Sequence, residues 1–318
     1  MTTSSATAPI HTILGAGGVI GRELSRSLAE AGGVRVRQIG RTPRSVVPGD
    51  ELVPADLLDA DATTRAVTGS AVTYLVAGLP YDAKVWQRDW PRVMQHAIDA
   101  CARAGSALVF FDNVYAYGRV DGVMTEATPY NPCSKKGEVR AAIATTLMEA
   151  HQRGDVRAMI VRAADFYGPG ALLSLTHATV TTRLATGKTP QWVGDARAVH
   201  TFTYTPDAGL SLARLAAIPS AYGQIWHALT SQDDMTGERY VRLACEQAGR
   251  PYKLQVAPRW MLRMMGLFVP VLRENHEMMY QFEHPYRFDS RKAEAALGRG
   301  ATSYADGIAA CWADVKKA

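Results

Sequence analysis

The chain has no apolar run that could span a bilayer. Its longest, "MMGLFVPVL" at 264–272, is nine residues, where a spanning helix needs about 20. The opening "MTTSSATAP" has neither the basic nor the apolar segment of an export signal, so residues 1–9 read as a disordered polar tail and the expected location is the cytoplasm. Cysteine is scarce as well. Cys101, Cys133, Cys245 and Cys311 stand too far apart for a zinc-ligand spacing or for the disulfide framework of a small secreted domain. No metal centre is expected, and the four read as reduced thiols. Excess charge is also missing: 35 basic residues face 30 acidic ones, and the basic ones are scattered. Without a basic run or an aromatic-interleaved patch, neither nucleic acid nor a membrane is an expected partner.

What is present is a globular chain of 318 residues, 47% hydrophobic, enough for a sizeable core. Short apolar runs alternate with helical patterns through its first half. "HTILG" (11–15), "VRVRQIG" (34–40), "VTYLVAG" (72–78), "ALVFFDN" (107–113) and "VRAMIVRAADF" (156–166) read as strands. Such an order predicts βαβ units and an α/β fold, a doubly wound, mainly parallel sheet of the Rossmann type. After Gly168 the rhythm loosens, which predicts a smaller, mostly helical substrate part over about 169–197 and 229–318, with residues 10–168 and about 198–228 forming the dinucleotide-binding domain.

The first strand runs into "ILGAGGVIGRELSRSLAEAGG", with Gly15, Gly18 and Gly21 at the turn and Val19, Ile20, Leu24 and Leu28 on one helix face. Glycine there lets the backbone turn sharply, approach a pyrophosphate without a Cβ in the way and pack the helix on the sheet. The helix N-terminus then offers free N–H groups to the phosphates. At the end of the second strand, where NAD sites place an acid for the adenosine ribose, this chain has "IGRTPR". Arg41 and Arg44 would pair with a 2′-phosphate that a carboxylate repels, so the expected cofactor is NADP(H) in preference to NAD(H).

Several segments in order resemble the extended short-chain dehydrogenases/reductases, the NAD-dependent epimerase/dehydratase family. They are "GAGGVIG", "ADLLD" (55–59), "VAGL" (76–79), "VYAYG" (114–118), "VRAADFYGPG" (161–170) and "FDSRKAEAALG" (288–298). The resemblance implies that Asp56 binds the adenine, that Leu57 lies against its ring, and that Ala77, Gly78, Leu79 and Ala164 line the cofactor. It also makes a homodimer a possible assembly.

The same resemblance implies a Ser or Thr shortly before the VYG segment and a Tyr-x-x-x-Lys pair on the next helix, the lysine lowering the tyrosine's pKa and holding the ribose. In "PYNPCSKKGEV" (129–139) the tyrosine position falls on Cys133 and the lysine position on Gly137, while the Ser/Thr position falls on Asn113. The usual proton relay is absent. Tyr115 is the leading substitute as proton donor, with Asn113 orienting the same substrate oxygen; the alternative is a tyrosine packed at the sheet edge. Lys136, about 100° around a helix from the lost lysine, could reach the ribose or be one more exposed lysine. Cys133 would serve as a nucleophile if the helix N-terminus lowered its pKa, but no partner for it stands in the sequence, and it reads rather as a small buried filler.

Asp165 stands where the family has a substrate-facing Asn, beside Tyr167, and His200 stands where it often has a phosphate-binding arginine. Both changes point away from nucleotide-sugar diphosphates and toward a less anionic small molecule. The Met- and aromatic-rich stretch 259–282 falls in the same substrate part. Three readings follow: an NADP(H)-dependent oxidoreductase acting on a carbonyl or alcohol, an epimerase or lyase without net redox, and a non-catalytic NADP(H) sensor.

Overall fold

The computed structural model describes residues 8–257 and 276–316. The start of the polar tail and most of the Met-rich stretch therefore lie outside the described residues.

The expected strands are found, except that the stretch 156–166 divides into a strand of the main sheet and a second short one, Asp165–Tyr167, that pairs elsewhere. Those of the main sheet are β1 (Ile10–Leu14), β2 (Arg35–Gly40), β4 (Ser70–Leu75), β5 (Ala107–Asn113) and β7 (Ala158–Ala163), joined by β3 (Glu51–Pro54) and β11 (Ile225–His227) in one sheet of order β11-β7-β5-β4-β1-β2-β3. Every neighbouring pair is parallel. The order reverses between β1 and β4, the switch point at which open α/β sheets bind ligands beyond their strand ends.

Parallel strands buried on both faces need helices on both sides. On one side lie α1 (Val19–Ala31) and α6 (Thr205–Ala216), where Ile20, Leu24, Leu28 and Leu212 pack over Ile13 and Val109. On the other lie α2 (Ala60–Val67), α3 (Ala83–Ala104) and α4 (Lys135–Gln152), where Val93, Met94, Ile143 and Leu147 pack over Leu14, Leu75 and Phe110. Helix α4 starts because the Ser134 hydroxyl accepts the Gly137 N–H at 3.0 Å, an N-cap of the common kind.

The rest is mostly helical: α5 (Thr182–Ala185), α7 (Gly237–Gln247), α8 (Tyr280–Glu283), α9 (Arg291–Leu297) and α10 (Tyr304–Val315). Three short parallel pairs tie it together. They are β6 (Val123–Met124) with β13 (Arg287–Phe288), β8 (Asp165–Tyr167) with β10 (Phe202–Tyr204), and β9 (Gln191–Val193) with β12 (Gln255–Ala257). No helix among the described residues is long and apolar enough to cross a membrane.

Candidate active site

The glycine turn divides its work. Gly15 has φ +99°, and a Cβ there would stand 2.4 Å from the Ala77 Cα, so the turn after β1 closes directly on the chain leaving β4. At Gly21 a Cβ would meet the Ala16 Cα at 2.9 Å, which fixes how closely α1 approaches the turn. Gly18 is different: its Cβ would touch only the Gly15 carbonyl oxygen at 3.7 Å, and at Gly17 it would touch nothing within 4 Å. The protein's own packing leaves this space clear in front of α1. Gly18 is also the N-cap, with no side chain on the free N–H groups and no acid in the first turn. A cleared space facing uncapped N–H groups fits a dinucleotide's pyrophosphate.

Around that turn the other expected cofactor positions line the same strand ends. Val19 is half-buried and Ile20 buried in the core, so Ile20 offers only backbone. Arg41 and Arg44, just past β2, are exposed and make no hydrogen bond or ion pair among the described residues. Asp56 is exposed after β3, where its carboxylate accepts the Leu58 N–H at 3.0 Å and shapes the turn; the Leu57 carbonyl accepts a bond from His96 Nδ1 at 2.9 Å. Ala77 and Leu79 are half-buried beyond β4, with Gly78 exposed between them. Ala164 is buried beyond β7, its N–H donating to Thr203 Oγ1 at 3.0 Å.

Beyond β5 the chain turns because the Asn113 side-chain oxygen accepts the Tyr115 N–H at 3.0 Å. The Asn113 Nδ2 makes no hydrogen bond among the described residues. Tyr115 stacks on Trp86 and brings its hydroxyl to 3.5 Å from that of Tyr81. Burial lifts its phenol well above the ordinary value of 10, and Tyr81 and the Asp165 carboxylate add to the effect.

Asp165 opens β8, and its Oδ2 lies 3.0 Å from His200 Nε2. His200 is 2% exposed, stacked between Phe282 and Tyr286 at centroid distances of 4.4 and 4.6 Å. Its Nδ1 lies 3.0 Å from the Gln281 carbonyl oxygen. Tyr280 and Tyr286 complete the group. Burial raises both phenols, with Cys133 and then Asp165 adding at Tyr280, and Asp165 and Tyr280 adding at Tyr286. Asp165 thus sits among phenols that keep their protons, a carboxyl group facing hydrogen-bond donors.

The start of α4 explains the missing pair. A Cβ at Gly137 would stand 2.6 Å from the Tyr115 carbonyl oxygen, so α4 packs onto the turn after β5 with no room for a lysine. Lys136 is buried instead. Its Nζ pairs with Glu277 Oε1 at 2.8 Å and lies 4.5 Å over the Tyr81 ring, while Glu277 Oε2 accepts the Lys135 N–H at 2.9 Å. Cys133 corrects an expectation: it is exposed rather than a buried filler, because the chain turns there into the helix and it is the capping Ser134 that is buried.

The structure therefore brings together Tyr115, Asp165 and His200. It does not bring Tyr167 to them, since that side chain packs in the aromatic core of the C-terminal part with Tyr204, Tyr240 and Tyr304. Tyr81, Glu277, Tyr280 and Tyr286 belong to the site without a motif to announce them. The available signal was weak: Tyr81 stands two residues after "VAGL", and Glu277 and Tyr280 fall near the end of the Met- and aromatic-rich stretch. The four described cysteines are free, and no cluster of three or more His, Cys, Asp or Glu among the described residues could hold a metal.

A parallel seven-stranded sheet with a glycine turn at its switch point defines a Rossmann-type fold. The model of the NAD dependent epimerase/dehydratase family matches residues 11–221, and the chain belongs to that family of enzymes. Solved structures share the fold along nearly the whole chain. A dTDP-glucose 4,6-dehydratase from Streptomyces venezuelae, solved with NAD, is 20% identical with a TM-score of 0.78 and 97% of each chain covered. A UDP-glucuronic acid 4-epimerase from Bacillus cereus, in complex with NAD, is 18% identical with a TM-score of 0.79, covering 97% of this chain and 99% of that one. A UDP-glucose 4-epimerase from Thermus thermophilus, also with NAD, is 19% identical with a TM-score of 0.78, again covering 97% of this chain and 99% of that one. A search of curated proteins gives no match.

Proposed function

We propose that the chain binds a nicotinamide dinucleotide along the C-terminal edge of the sheet and acts on a hydroxyl- or carbonyl-bearing carbon of a weakly charged small molecule. The observation that carries this reading is the cleared space at Gly17 and Gly18 before an uncapped helix, on the same sheet edge as Tyr115 and Asp165. The pyrophosphate lies at Gly18 and the first turn of α1, the adenine by Asp56 and Leu57, and the rest of the cofactor along Ala77, Gly78, Leu79 and Ala164. When bound, the nicotinamide supplies or takes up hydride. The Asn113 amide and the Tyr115 hydroxyl donate hydrogen bonds to the substrate oxygen and hold it in place. His200, buried where a phosphate-binding arginine would stand, offers no guanidinium fork to a diphosphate, which disfavours that class of substrate.

The finer choice of cofactor is NADP(H), supported by the two exposed arginines past β2, unpaired among the described residues, and by the lack of an acid there. Titration of protein fluorescence with NADPH and NADH tests it. NADPH binds more tightly, and Arg41→Ala with Arg44→Ala weakens NADPH at least tenfold while leaving NADH within about twofold. Tighter NADH binding by the unaltered chain would reverse the choice.

A second reading, epimerisation or dehydration without net redox, is favoured by the family match and by the activities named for the solved structures. Substrate-dependent, stoichiometric consumption of NAD(P)H separates the first reading from the second.

A further inference from the structure

The His200 ring has both nitrogens occupied, and the partners fix its protons. A carbonyl oxygen can only accept, so Nδ1, 3.0 Å from the Gln281 carbonyl, carries a hydrogen. Nε2 of a neutral ring would then be a lone pair, yet it faces Asp165 Oδ2 at 3.0 Å, and an ionised carboxylate also offers only lone pairs. Two acceptors do not approach so closely without a hydrogen between them. The pair therefore contains one proton more than a neutral imidazole and a carboxylate, held as imidazolium with carboxylate or as imidazole with carboxylic acid. Stacking between Phe282 and Tyr286 fixes the ring in this orientation.

The extra proton is stored at the open side of the site. His200 is buried, whereas the Asp165 side chain is 24% exposed and its Oδ1 makes no hydrogen bond among the described residues. The groups facing the pair do not compete for the proton. Tyr115 comes from the turn after β5, and Tyr280 and Tyr286 from α8 and the segment after it; burial holds all three as neutral phenols. The Lys136 ammonium is paired with Glu277.

Resting on the reading above, we propose that Asp165 and His200 together replace the absent tyrosine–lysine relay, with Asp165 as the catalytic acid and base and His200 as the positioning residue that keeps it loaded. In the reducing direction the carbonyl carbon takes hydride from the reduced cofactor, the C–O π pair moves onto oxygen, and that oxygen takes the proton of the Asp165 carboxyl. The pair is left one proton short and regains it from solvent. In the oxidising direction the pair first gives its extra proton to solvent, the Asp165 carboxylate then accepts the hydroxyl proton, and the hydride leaves the carbon for the oxidised cofactor. Tyr115 donates a hydrogen bond to the same oxygen and keeps its own proton.

The test uses the whole chain with 15N-labelled histidine and 13C-labelled aspartate carboxyl groups, at pH 7.5 and without substrate. The expected spectra show His200 protonated on both nitrogens, or Asp165 in its acid form. In Asp165→Asn the amide donates to Nε2, and His200 becomes a neutral ring protonated on Nδ1 alone. A wild-type His200 with bare Nε2 beside an ionised Asp165 overturns the proposal. Turnover of 4-nitrobenzaldehyde with NADPH adds a kinetic arm: Asp165→Asn loses at least about 100-fold with NADPH affinity unchanged, Tyr115→Phe loses less, and activity of Asp165→Asn equal to wild type would sink the catalytic role. Failure of the wild type to bind either nicotinamide cofactor would instead refute the proposed function and leave the spectra to decide the shared proton.

Discussion

His200 and His227 are both buried, both place Nδ1 on a backbone carbonyl and both stack on aromatic rings, yet they differ in what meets Nε2. His227 donates from Nδ1 to the Asp289 carbonyl at 2.6 Å, stacks on Phe288 with centroids 4.0 Å apart, and accepts at Nε2 from the Tyr117 hydroxyl at 2.9 Å. Every polar atom of that ring is matched by a neutral ring's own hydrogen pattern. Burial accordingly holds its pKa down to about 3. At His200 a carboxyl stands where His227 has a phenol, and the pattern closes only with an additional proton. One partner atom separates a ring locked as structure from a ring that can take part in proton transfer.

The surroundings follow the same division. Next to His227, Tyr117 and Tyr130 flank the Arg162 guanidinium, which donates to Asp112 at 3.1 Å and to the Tyr130 hydroxyl at 2.6 Å, while Arg140 holds the other Asp112 oxygen at 3.4 Å. Asp112 and Arg162 are fully buried. Arg162→Met would leave that carboxylate with Arg140 and the Asn113 N–H, both on its other oxygen. The expected loss is about 3–5 kcal/mol, read as a lower urea midpoint at unchanged m-value. A loss below about 1 kcal/mol would mean that this network is no more rigid than the reaction side.

Acid breaks the same region next. A histidine buried as the neutral ring is depressed in the folded state, so below 6.5 the unfolded chain binds the additional proton and the folded chain does not. Stability is therefore full above pH 6.5 and falls as pH drops toward the folded value. For His227, held to about 3, the loss at pH 5 is about 2 kcal/mol. His11, lowered to about 4 by burial, acts in the same direction. Unfolding free energies at pH 7 and pH 5 check the difference, and the His227 ring signals should stay unshifted between the two. Titration of His227 in that interval would erase its contrast with His200.

The two sides were not equally legible in the sequence. Strands β1, β2, β4, β5 and β7 are buried on both faces and announce themselves as apolar runs. β3 was missed because "ELVP" sits at the sheet edge with Leu52 exposed, and β11 because it has only three residues. The glycine turn was legible because its requirements are local: a positive φ, a close approach and a clear space lie within a few residues. Loss of the tyrosine–lysine pair was legible for the same reason. Its physical cause was not, since Gly137 is forced by the Tyr115 carbonyl and the Lys136 ammonium is claimed by Glu277, 141 residues away. The Asp165–His200 contact also forms only when β8 and β10 pair; each residue was readable as a substitution, but not the proton between them.

The smallest expected effect lies at that Lys136–Glu277 contact. Glu277 is partly exposed and keeps its bond to the Lys135 N–H when the ammonium is removed, so no buried charge is stranded. Lys136→Gln places an amide donor within reach of the same carboxylate. The expected cost is about 1 kcal/mol, well below that of Arg162→Met, because this side of the molecule is held by contacts that solvent can partly replace. NADPH affinity should stay within about twofold, since the ammonium is engaged by Glu277 and the Tyr81 ring. A fluorescence titration showing tenfold weaker binding, about 1.4 kcal/mol, would instead make Lys136 a cofactor ligand. The contact with Glu277 would then open on binding, and the start of α4 would recover one half of the relay that Gly137 excludes.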